Sequence, residues 1–279
     1  MNDTPGRVWL VTGAASGLGR AITVAALENG DSVVATARDP RRLTDLTERH
    51  PGRLIAESLD VTDESRFAPV LEAAVKEFGR IDVLVNNAGR GLVGAVEETS
   101  GQQLRDLMEV HFFGPVALTR AVLPRFRKQG SGAIVQISSM GGQLSFAGVG
   151  AYSAGKFALE GISEALAAEV EPLGIRVLIV EPGAFRTGLQ GPGLTMAEAL
   201  PVYESTAGVA RRDLPSLYGN EPGDPAKAAA AIRAALDADR PPLRLVLGGD
   251  AVDAVLAHAD TVRAEVTAWQ EVARSTDFD

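Results

Sequence analysis

The sequence predicts an α/β fold, a doubly wound parallel β-sheet of about seven strands with helices on both faces. Three observations support this prediction. Short runs of Val, Ile and Leu alternate with longer amphipathic or Ala-rich segments along the chain. The short runs are continuously apolar, as strands buried on both faces require. A glycine-rich turn joins the first run to the first helical segment, which is typical of a parallel strand–turn–helix unit.

The first half of the chain contains four predicted strands and three predicted helices. The opening strand, 8–11, is the apolar run VWLV. The Ala-rich helix after the glycine turn ends at Asn29 and Gly30, because glycine commonly follows the last helical residue. The helix 63–78 is amphipathic and ends at Gly79. The other elements of this half are the strands 31–37, 54–59 and 81–85 and the helix 40–50.

The second half begins with a long predicted helix, 100–128, whose apolar residues recur at helical spacing. A later helix carries Tyr152 and Lys156 and closes at Pro172 and Gly174. The remaining elements are the strands 133–137, 175–180 and 243–247 and the helices 224–238 and 250–273.

We expect one domain, 1–279, because the chain shows no linker, internal repeat or low-complexity tract. The patterns dissolve over 184–223, where Gly, Pro and small residues dominate and a short helix is expected near 195–200. Connections of this length are usually lids or binding loops, so 184–223 is interpreted as a substrate-binding region. Each candidate motif follows a predicted strand, and doubly wound sheets bind ligands at the carboxyl ends of their strands. The motifs are therefore expected to converge at one edge of the sheet.

The composition argues against several classes of function. A formal net charge of -9 disfavours a nucleic-acid or anionic-membrane partner. The absence of Cys excludes disulfides and thiol catalysis and fits a reducing compartment, and three widely separated His do not predict a metal site. No segment approaches the roughly 20 apolar residues of a membrane span, and the first residues lack a basic leader. We therefore expect a cytoplasmic protein without a metal.

The glycine turn reads TGAASGLG over 12–19. After a strand and before a helix, such a turn places backbone N–H groups and a helix N-terminus against a phosphate. Glycine permits the tight turn and the close approach of backbone to a pyrophosphate, and a serine hydroxyl can donate to phosphate. An ordinary strand-to-helix turn is the alternative. The candidate cofactor contacts in this turn are Gly13, Ser16, Gly17, Leu18 and Gly19.

Two further positions concern the adenosine half of a dinucleotide. The second strand ends at Ala37 and Arg38, without the carboxylate that binds a free ribose 2′-hydroxyl. A guanidinium suits a 2′-phosphate, so NADP(H) is expected in preference to NAD(H), with a solvated basic helix start as the alternative. Asp60 and Val61 close the third strand. They suit an adenine ring, or else belong to a plain helix-capping region.

The stretch 139–156 brings together a hydroxyl, a phenol and an amine. Tyr152 and Lys156 are four residues apart, which stacks them on one face of a helix. An ammonium beside a phenol favours the phenolate and lowers a pKa that is ordinarily about 10. The hydroxyl of Ser139 can hold a carbonyl or alcohol oxygen within reach of the phenol. This pattern predicts reversible proton transfer at a C–O bond, although Tyr and Lys at this spacing are also common on surface helices.

Together these motifs closely resemble the short-chain dehydrogenase/reductase family in its single-domain, Rossmann-like length class. The resemblance covers about residues 7–187. It rests on ordered motifs at the family's spacing, namely TGAASGLG at 12–19, Asp60-Val61, NNAG at 86–89, Ser139 with Tyr152-x-x-x-Lys156, and Pro182-Gly183-x-x-x-Thr187.

The resemblance implies a nicotinamide-dependent oxidoreductase. In that reading Tyr152 is the acid/base, Lys156 lowers the phenol pKa and bonds the nicotinamide ribose, and Ser139 positions the substrate oxygen. Arg38 looks like the family's NADP-selecting arginine, and Thr187 like the residue beside the carboxamide. The further cofactor contacts that it implies are Asn87, Ala88, Gly89, Pro182, Gly183 and Phe185.

Two residues depart from the family pattern. His111 stands in Val110-His111-Phe112, where the family has an asparagine that helps to hold a proton-relay water. An imidazole can also bond a water and titrates near neutrality, so His111 is expected either to preserve the relay and add pH dependence or to be a packed helix histidine. Phe185 stands where the family has a smaller aliphatic residue.

The sequence thus predicts an NADP(H)-dependent enzyme that interconverts a ketone or aldehyde and its alcohol. Apolar residues in 144–149 and 184–223 predict an apolar small-molecule substrate, with Gly142 and Gln143 also lining the pocket. A catalytically silent NADP(H)-binding regulatory or sensor protein is the alternative. A sugar-nucleotide epimerase would need a different glycine spacing and a larger C-terminal domain. The resemblance also implies a homodimer or homotetramer formed through the two long central helices.

Overall fold

The computed structural model describes residues 6–278. Residues 1–5, on which the expected lack of a leader partly rests, and residue 279 lie outside the described part. A seven-stranded sheet in the order β3-β2-β1-β4-β6-β7-β9 forms the centre, and all its neighbouring strands are parallel. The predicted fold class is therefore confirmed. The strands are β1 Val8–Val11, β2 Ser32–Ala37, β3 Leu54–Ser58, β4 Val83–Asn86, β6 Gly132–Ile137, β7 Ile175–Pro182 and β9 Arg244–Leu247.

Nine α-helices are assigned within residues 6–278, and short 3₁₀ turns precede or follow several of them. They are α1 Gly17–Glu28, α2 Thr44–Arg49, α3 Phe67–Phe78, α4 Gly101–Met108, α5 Gly114–Gln129, α6 Gly150–Val170, α7 Ala207–Ser216, α8 Pro225–Asp237 and α9 Gly249–Arg274. In this part of the chain no helix is both long and apolar enough to cross a membrane.

Two apolar layers cover the two faces of the sheet, because successive side chains of a strand point to opposite faces. Trp9 of β1 packs with Leu27 of α1 and with α8 residues on one face. Leu10 packs with Leu71 of α3 and Phe126 of α5 on the other. The sheet is thereby buried on both sides, and the strand ends are left to carry the polar motifs.

The strand order reverses between β1 and β4, which is the switch point of the sheet. The connections on its two sides pass over opposite faces, so a crevice opens at the carboxyl ends of these strands. The glycine turn follows β1 there, and the segment 86–89 begins at the end of β4.

Two predicted helical regions differ from the structure. The long helix predicted over 100–128 is interrupted by a π-helical turn, Glu109–Phe113, between α4 and α5. The short helix predicted near 195–200 is wrong. Instead Leu194–Met196 forms strand β8, which pairs in parallel with β5, Gly91–Val93. The helical propensity of this segment is overridden by backbone pairing with β5, which lies about a hundred residues earlier in the chain. Local sequence patterns do not reveal such a pairing.

Candidate active site

The predicted motifs lie at the carboxyl edge of the sheet, where Thr12 connects two of them. The Thr12 hydroxyl accepts hydrogen bonds from the backbone N–H groups of Asn87, at 2.9 Å, and Ala88, at 3.1 Å. It also donates to the carbonyl of Val85 at 3.2 Å. The Asn87 side-chain amide in turn donates to the Thr12 carbonyl at 2.8 Å. The glycine turn and the segment 86–89 are therefore one rigid unit.

The glycine turn has the geometry of a phosphate cradle. Gly13 and Gly17 have φ values of 64° and 54°, in the left-handed region that favours glycine. Ser16 is the N-cap of α1, and its side chain makes no capping hydrogen bond. A Cβ on Gly17 would lie 3.1 Å from the Thr187 Cβ, so the absent side chain leaves a gap between the turn and Thr187.

Two other glycine-turn residues serve packing. A Cβ on Gly19 would collide with the Asn87 amide nitrogen, so Gly19 allows the helix to approach the segment 86–89. Leu18 packs at the margin of the apolar core. The helix N-terminus, the unbonded Ser16 hydroxyl and the cradle above Gly17 fit a dinucleotide pyrophosphate.

The end of β2 presents Arg38 to solvent. Its neighbour Asp39 is occupied by Arg41, whose guanidinium donates to the carboxylate at 2.8 and 3.0 Å. No ion pair within residues 6–278 involves Arg38. A guanidinium without an ion-pair partner in the described residues is thus available at the carboxyl end of β2.

Asp60 and Val61 adopt different roles at the end of β3. The Asp60 carboxylate accepts hydrogen bonds from the Thr62 N–H at 3.0 Å and from its hydroxyl at 2.8 Å. These bonds, with the nearby positive charge of Arg38, hold the pKa of Asp60 below its usual value. Val61 is buried, and its carbonyl lies against Gly114 at the start of α5. Asp60 therefore stays ionised and keeps one carboxylate oxygen uncommitted.

Ser139, Tyr152 and Lys156 come together where β6 ends and α6 begins. The Ser139 hydroxyl accepts from the Gly141 N–H at 3.0 Å and lies 3.5 Å from the carbonyl of Pro182. Lys156 is buried, and its ammonium donates to the carbonyl of Ile137 at 2.8 Å. The Lys156 nitrogen lies 5.7 Å from the centre of the Tyr152 ring. The three predicted catalytic side chains are therefore neighbours.

The electrostatics of this group differ from the expectation. Burial lowers the pKa of Lys156 to about 7, and the negative charge of Glu160 opposes this shift. Burial also raises the pKa of Tyr152, and the hydrogen bond with Ser139 offsets this only in part. The expected lowering of the phenol pKa by Lys156 is not seen in this structure. The lysine is itself half neutral near pH 7, which weakens its effect on the phenol.

His111 lies in the π-helical turn and is almost fully buried. Its ring packs edge-on against Tyr152, with the centres 5.3 Å apart. Gly89 and Gly155 make room for it, because a Cβ on either would lie within 3.1 Å of His111 atoms. Nε2 lies 2.7 Å from the carbonyl of Arg90, and the buried Nδ1 has no partner within the described residues.

Burial lowers the pKa of His111 well below its ordinary value, and the positive charge of Lys156 adds to this shift. The imidazole is therefore neutral at pH 7. The expectation that His111 titrates near neutrality is wrong, because a charged ring would be desolvated beside a lysine. A neutral ring that donates from Nε2 to Arg90 presents an acceptor lone pair at Nδ1.

The residues after β7 divide between the site and the core. Pro182 is the last residue of β7, and a Cβ on Gly183 would collide with the carboxylate of Asp250. Phe185 is buried against Gly223 and Gly248. Packing therefore accounts for Phe185, and none of these contacts joins it to the glycine turn.

A buried carboxyl pair behind the site is absent from the sequence-based predictions. Glu160 of α6 and Glu181 of β7 share one guanidinium, since Arg244 Nε lies 3.0 Å from the first and 3.4 Å from the second. Gln143, which was predicted to line the substrate pocket, donates to Glu181 at 2.6 Å. Burial raises the pKa of Glu181 to about 7. The sequence signal for this pair is the charged Glu181 directly after the apolar run 177–180.

Glu98 was also missed, although it fixes the long segment 184–223. Its carboxylate accepts from the Leu200 N–H, the Ala95 N–H and the Arg211 guanidinium, each at 2.7 Å. Its side chain is only 1% exposed. Three donors, two of them from a segment a hundred residues away, therefore converge on one buried carboxylate.

No group of three or more His, Asp or Glu within residues 6–278 is arranged to hold a metal ion.

This chain is similar to known proteins in sequence and fold. The family model for short chain dehydrogenases matches residues 7–196. Oxidoreductase BOA17 of Botryotinia fuckeliana is 38% identical over 95% of this chain and 97% of its own length. The 3-ketodihydrosphingosine reductase of Bacteroides thetaiotaomicron is 37% identical over 87% of this chain and 88% of its own.

Solved structures agree with these sequence matches. A short-chain dehydrogenase from Streptomyces avermitilis superimposes with a TM-score of 0.93 at 58% identity, covering 98% of this chain and 100% of that one. A short-chain dehydrogenase from Burkholderia cenocepacia, in complex with NADP, gives a TM-score of 0.74 at 26% identity and covers 94% and 96% of the two chains.

Proposed function

Since the chain belongs to the short-chain dehydrogenase/reductase family of oxidoreductases, we propose that it interconverts a ketone or aldehyde and its alcohol with NADP(H) as cofactor. One observation carries this proposal. The Ser139 hydroxyl, the Tyr152 phenol and the Lys156 ammonium meet at the sheet edge that also carries the glycine turn.

Each of the three side chains has a role that follows from its surroundings. Ser139 is fixed by the turn that it caps, so its hydroxyl can hold the substrate oxygen. Tyr152 is protonated at neutral pH, since burial raises further a pKa that is ordinarily about 10, and a protonated phenol suits a proton donor in carbonyl reduction. Lys156 stabilises the phenolate that forms, because a pKa of about 7 leaves it partly charged. The nicotinamide supplies the hydride when it is bound.

Replacing Tyr152 by Phe tests the reaction. Without the phenolic proton we expect NADPH-dependent reduction to fall by at least about a hundredfold, the usual contribution of a general acid. NADPH affinity, measured by fluorescence titration, should stay within about twofold because the ring is kept. Tyr203→Phe is the matched control, because it also removes one phenol hydroxyl, which in the folded protein bonds Glu97. Full activity in the Tyr152 variant would contradict the mechanism.

The preference for NADP(H) rests on Arg38. It stands exposed at the end of β2 and has no carboxylate partner within residues 6–278, so its guanidinium is free to bind a 2′-phosphate. Arg38→Ala should weaken NADPH binding by about tenfold to a hundredfold, as loss of a charge-assisted hydrogen bond does, and leave NADH binding unchanged. Arg49→Ala is the control, because that guanidinium pairs with Asp45. Tighter binding of NADH than of NADPH by the wild type would refute the preference.

An apolar substrate is the class that the surroundings of the site favour. Large apolar side chains stay exposed on the segments beside the start of α6, with Val96 85% and Val202 75% accessible. Val96 reaches Gly150, the first residue of the helix that carries Tyr152. One relative is named for a 3-keto substrate. A series of ketones of increasing chain length should therefore show kcat/KM rising with length, whereas a flat series would argue against an apolar pocket.

A catalytically silent NADP(H) sensor is the second candidate, and His111 favours it. The ring is neutral and held by the carbonyl of Arg90, so it offers only Nδ1 to a proton-relay water. His111→Asn restores the residue that is usual in the family. Turnover that appears only in this variant would support the sensor, and wild-type turnover of a carbonyl panel with NADPH would exclude it.

We further propose that residues 1–279 form one domain whose segment 184–223 contacts the substrate.

A further inference from the structure

The C-terminal helix α9 extends away from the rest of the protein. It spans 26 residues, Gly249–Arg274, and only Ala251 in its first turn is buried. Every residue from 256 to 274 is exposed. Its main contacts are with β9 and with the turn Met140–Gly142. Most helical stability in proteins comes from packing one face of the helix, so a helix with so little buried surface lacks most of that contribution.

One face of α9 carries an apolar seam with heptad spacing. Small and apolar residues recur at alternating steps of three and four, which keeps them in one line along the helix. Val266 is 65% exposed and Trp269 is 68% exposed, so the seam is not part of the core. The seam consists of Val252, Val255, Ala259, Val262, Val266, Trp269 and Ala273.

The body of the protein does not cover this seam. A cleft of about 550 Å³ separates the middle of α9, at Ala259 and Val262, from Glu160, Glu164 and Arg244. The residues across the cleft are charged, and they are already paired with one another. An apolar seam gains nothing from closing onto such a surface, because burial would desolvate the ion pairs.

We propose that the seam of α9 binds α9 of a second copy of this chain in an antiparallel pair. Pairing Val262 with Val266 of the partner subunit sets the register by the two-fold symmetry of an isologous contact. Small residues then face large ones along the seam. Ala259 lies opposite Trp269 of the partner subunit, and Val255 lies opposite Ala273 of the partner subunit. Antiparallel helices also align their dipoles favourably.

The charge of α9 distinguishes a second copy from a membrane surface. The helix has five acidic and two basic side chains, Asp250, Asp253, Asp260, Glu265 and Glu271 against Arg263 and Arg274. Amphipathic helices that lie on anionic membranes carry Lys and Arg on the polar face. Arg263 is moreover engaged by Asp260 within the helix, at 2.9 Å. The seam therefore suits another neutral apolar seam, which the same helix of a second copy supplies.

The proposed α9 contact is separate from any contact through the two long central helices. Loss of the α9 contact alone should therefore halve the mass of the oligomer, and the test measures that mass. Sedimentation of the full chain at tens of micromolar should give an even-numbered oligomer. Val266→Glu should halve its mass, because a charge would be buried in the seam. Ala264→Glu is the matched control, since Ala264 lies about 3 Å along the helix from Val266 and on roughly the opposite face. A monomeric wild type, or a Val266→Glu variant of unchanged mass, would overturn the proposal.

The register is tested by disulfide cross-linking, which is unambiguous because the chain contains no cysteine. An equimolar mixture of the single variants Val262→Cys and Val266→Cys should oxidise mainly to the mixed disulfide, as the antiparallel register places these positions opposite each other. Ala264→Cys should stay monomeric on denaturing gels. Efficient self-cross-linking of Val266→Cys alone would indicate a parallel pair, and equal cross-linking of Ala264→Cys would indicate random collision. Either result refutes the proposed register.

Discussion

Replacing Glu181 by Gln should remove a large part of the pH dependence of stability. Glu181 is fully buried beside Glu160, and together they have one guanidinium, that of Arg244. Gln keeps the shape of a protonated Glu, accepts from Gln143 and can donate to Glu160. The substitution therefore locks the site in the form that the folded protein prefers at low pH.

The sign and size follow from the pKa of Glu181, which burial raises from 4.5 to about 7. Below pH 4.5 the carboxyl is protonated in both the folded and unfolded states, and its full contribution to stability is present. Between pH 4.5 and 7 the unfolded chain releases its proton first, so the free energy of unfolding falls as pH rises. At 1.36 kcal/mol per pKa unit, wild type should lose up to about 2.5 kcal/mol at this residue between pH 5 and 8.

Urea unfolding at pH 5 and pH 8 measures this loss. At pH 5 the free energy of unfolding of Glu181→Gln should match that of wild type within about 1 kcal/mol. At pH 8 the difference between variant and wild type should be larger by about 2.5 kcal/mol in favour of the variant, which is a midpoint shift of about 0.8 M if m is about 3 kcal/mol/M. Lys156 contributes in the opposite direction, because its lowered pKa favours the folded state as pH rises above 7. This contribution is present in both wild type and Glu181→Gln, so it largely cancels when their free energies of unfolding are subtracted. Glu164→Gln is the control, because Glu164 is 61% exposed. The same difference at both pH values would refute the reasoning.

Three other substitutions probe the site. Glu98→Ala removes the acceptor of two partly buried donors, the Ala95 N–H and the Arg211 guanidinium, and of the more exposed Leu200 N–H, so we expect a loss of about 1–3 kcal/mol in urea unfolding and a higher KM for the carbonyl substrate. Gly155→Ala places a Cβ 3.0 Å from the His111 Cβ, which should cost about 1–3 kcal/mol of stability and lower kcat by displacing the ring from Tyr152. Gly17→Ala fills the gap beside Thr187 and should weaken NADPH binding about tenfold, by roughly 1.4 kcal/mol. Gly52→Ala is the control for backbone strain alone, because Gly52 has a φ of 73° and no atom would lie near the added Cβ. If Gly17→Ala bound NADPH as tightly as Gly52→Ala and wild type do, the proposed phosphate cradle would be contradicted.

The sheet and its motifs were predictable because their signals are local. The strand 8–11, the turn at Gly13 and the helix that follows are each specified by a few adjacent residues, and the structure reproduces them. The apolar runs that mark the seven strands are similarly short and continuous. The convergence of the glycine turn with Tyr152 and Lys156 followed from the rule that parallel strands place their carboxyl ends together.

The features that were missed depend on contacts between distant segments. Strand β8 exists because it pairs with β5, and no pattern within 194–196 indicates this. Glu160 and Glu181 affect each other only because α6 packs on β7, which sets the pKa of Glu181. The π-helical turn at Glu109–Phe113 places His111 between two glycines from other parts of the chain. Burial also determines whether a histidine titrates, and spacing along the chain does not specify burial.

The short pairing of β5 with β8 divides the segment 184–223 into two unequal arms. The inner arm, 184–193, holds Thr187 beside the glycine turn, and the outer arm carries Tyr203 and α7. Because the chain is fixed between them at Leu194–Met196, the arms are two shorter loops, and the entropy of closing the second loop is lost when β8 pairs with β5. The arms can also rearrange one at a time. The outer arm can therefore vary in length or sequence while the inner arm keeps Thr187 beside the glycine turn.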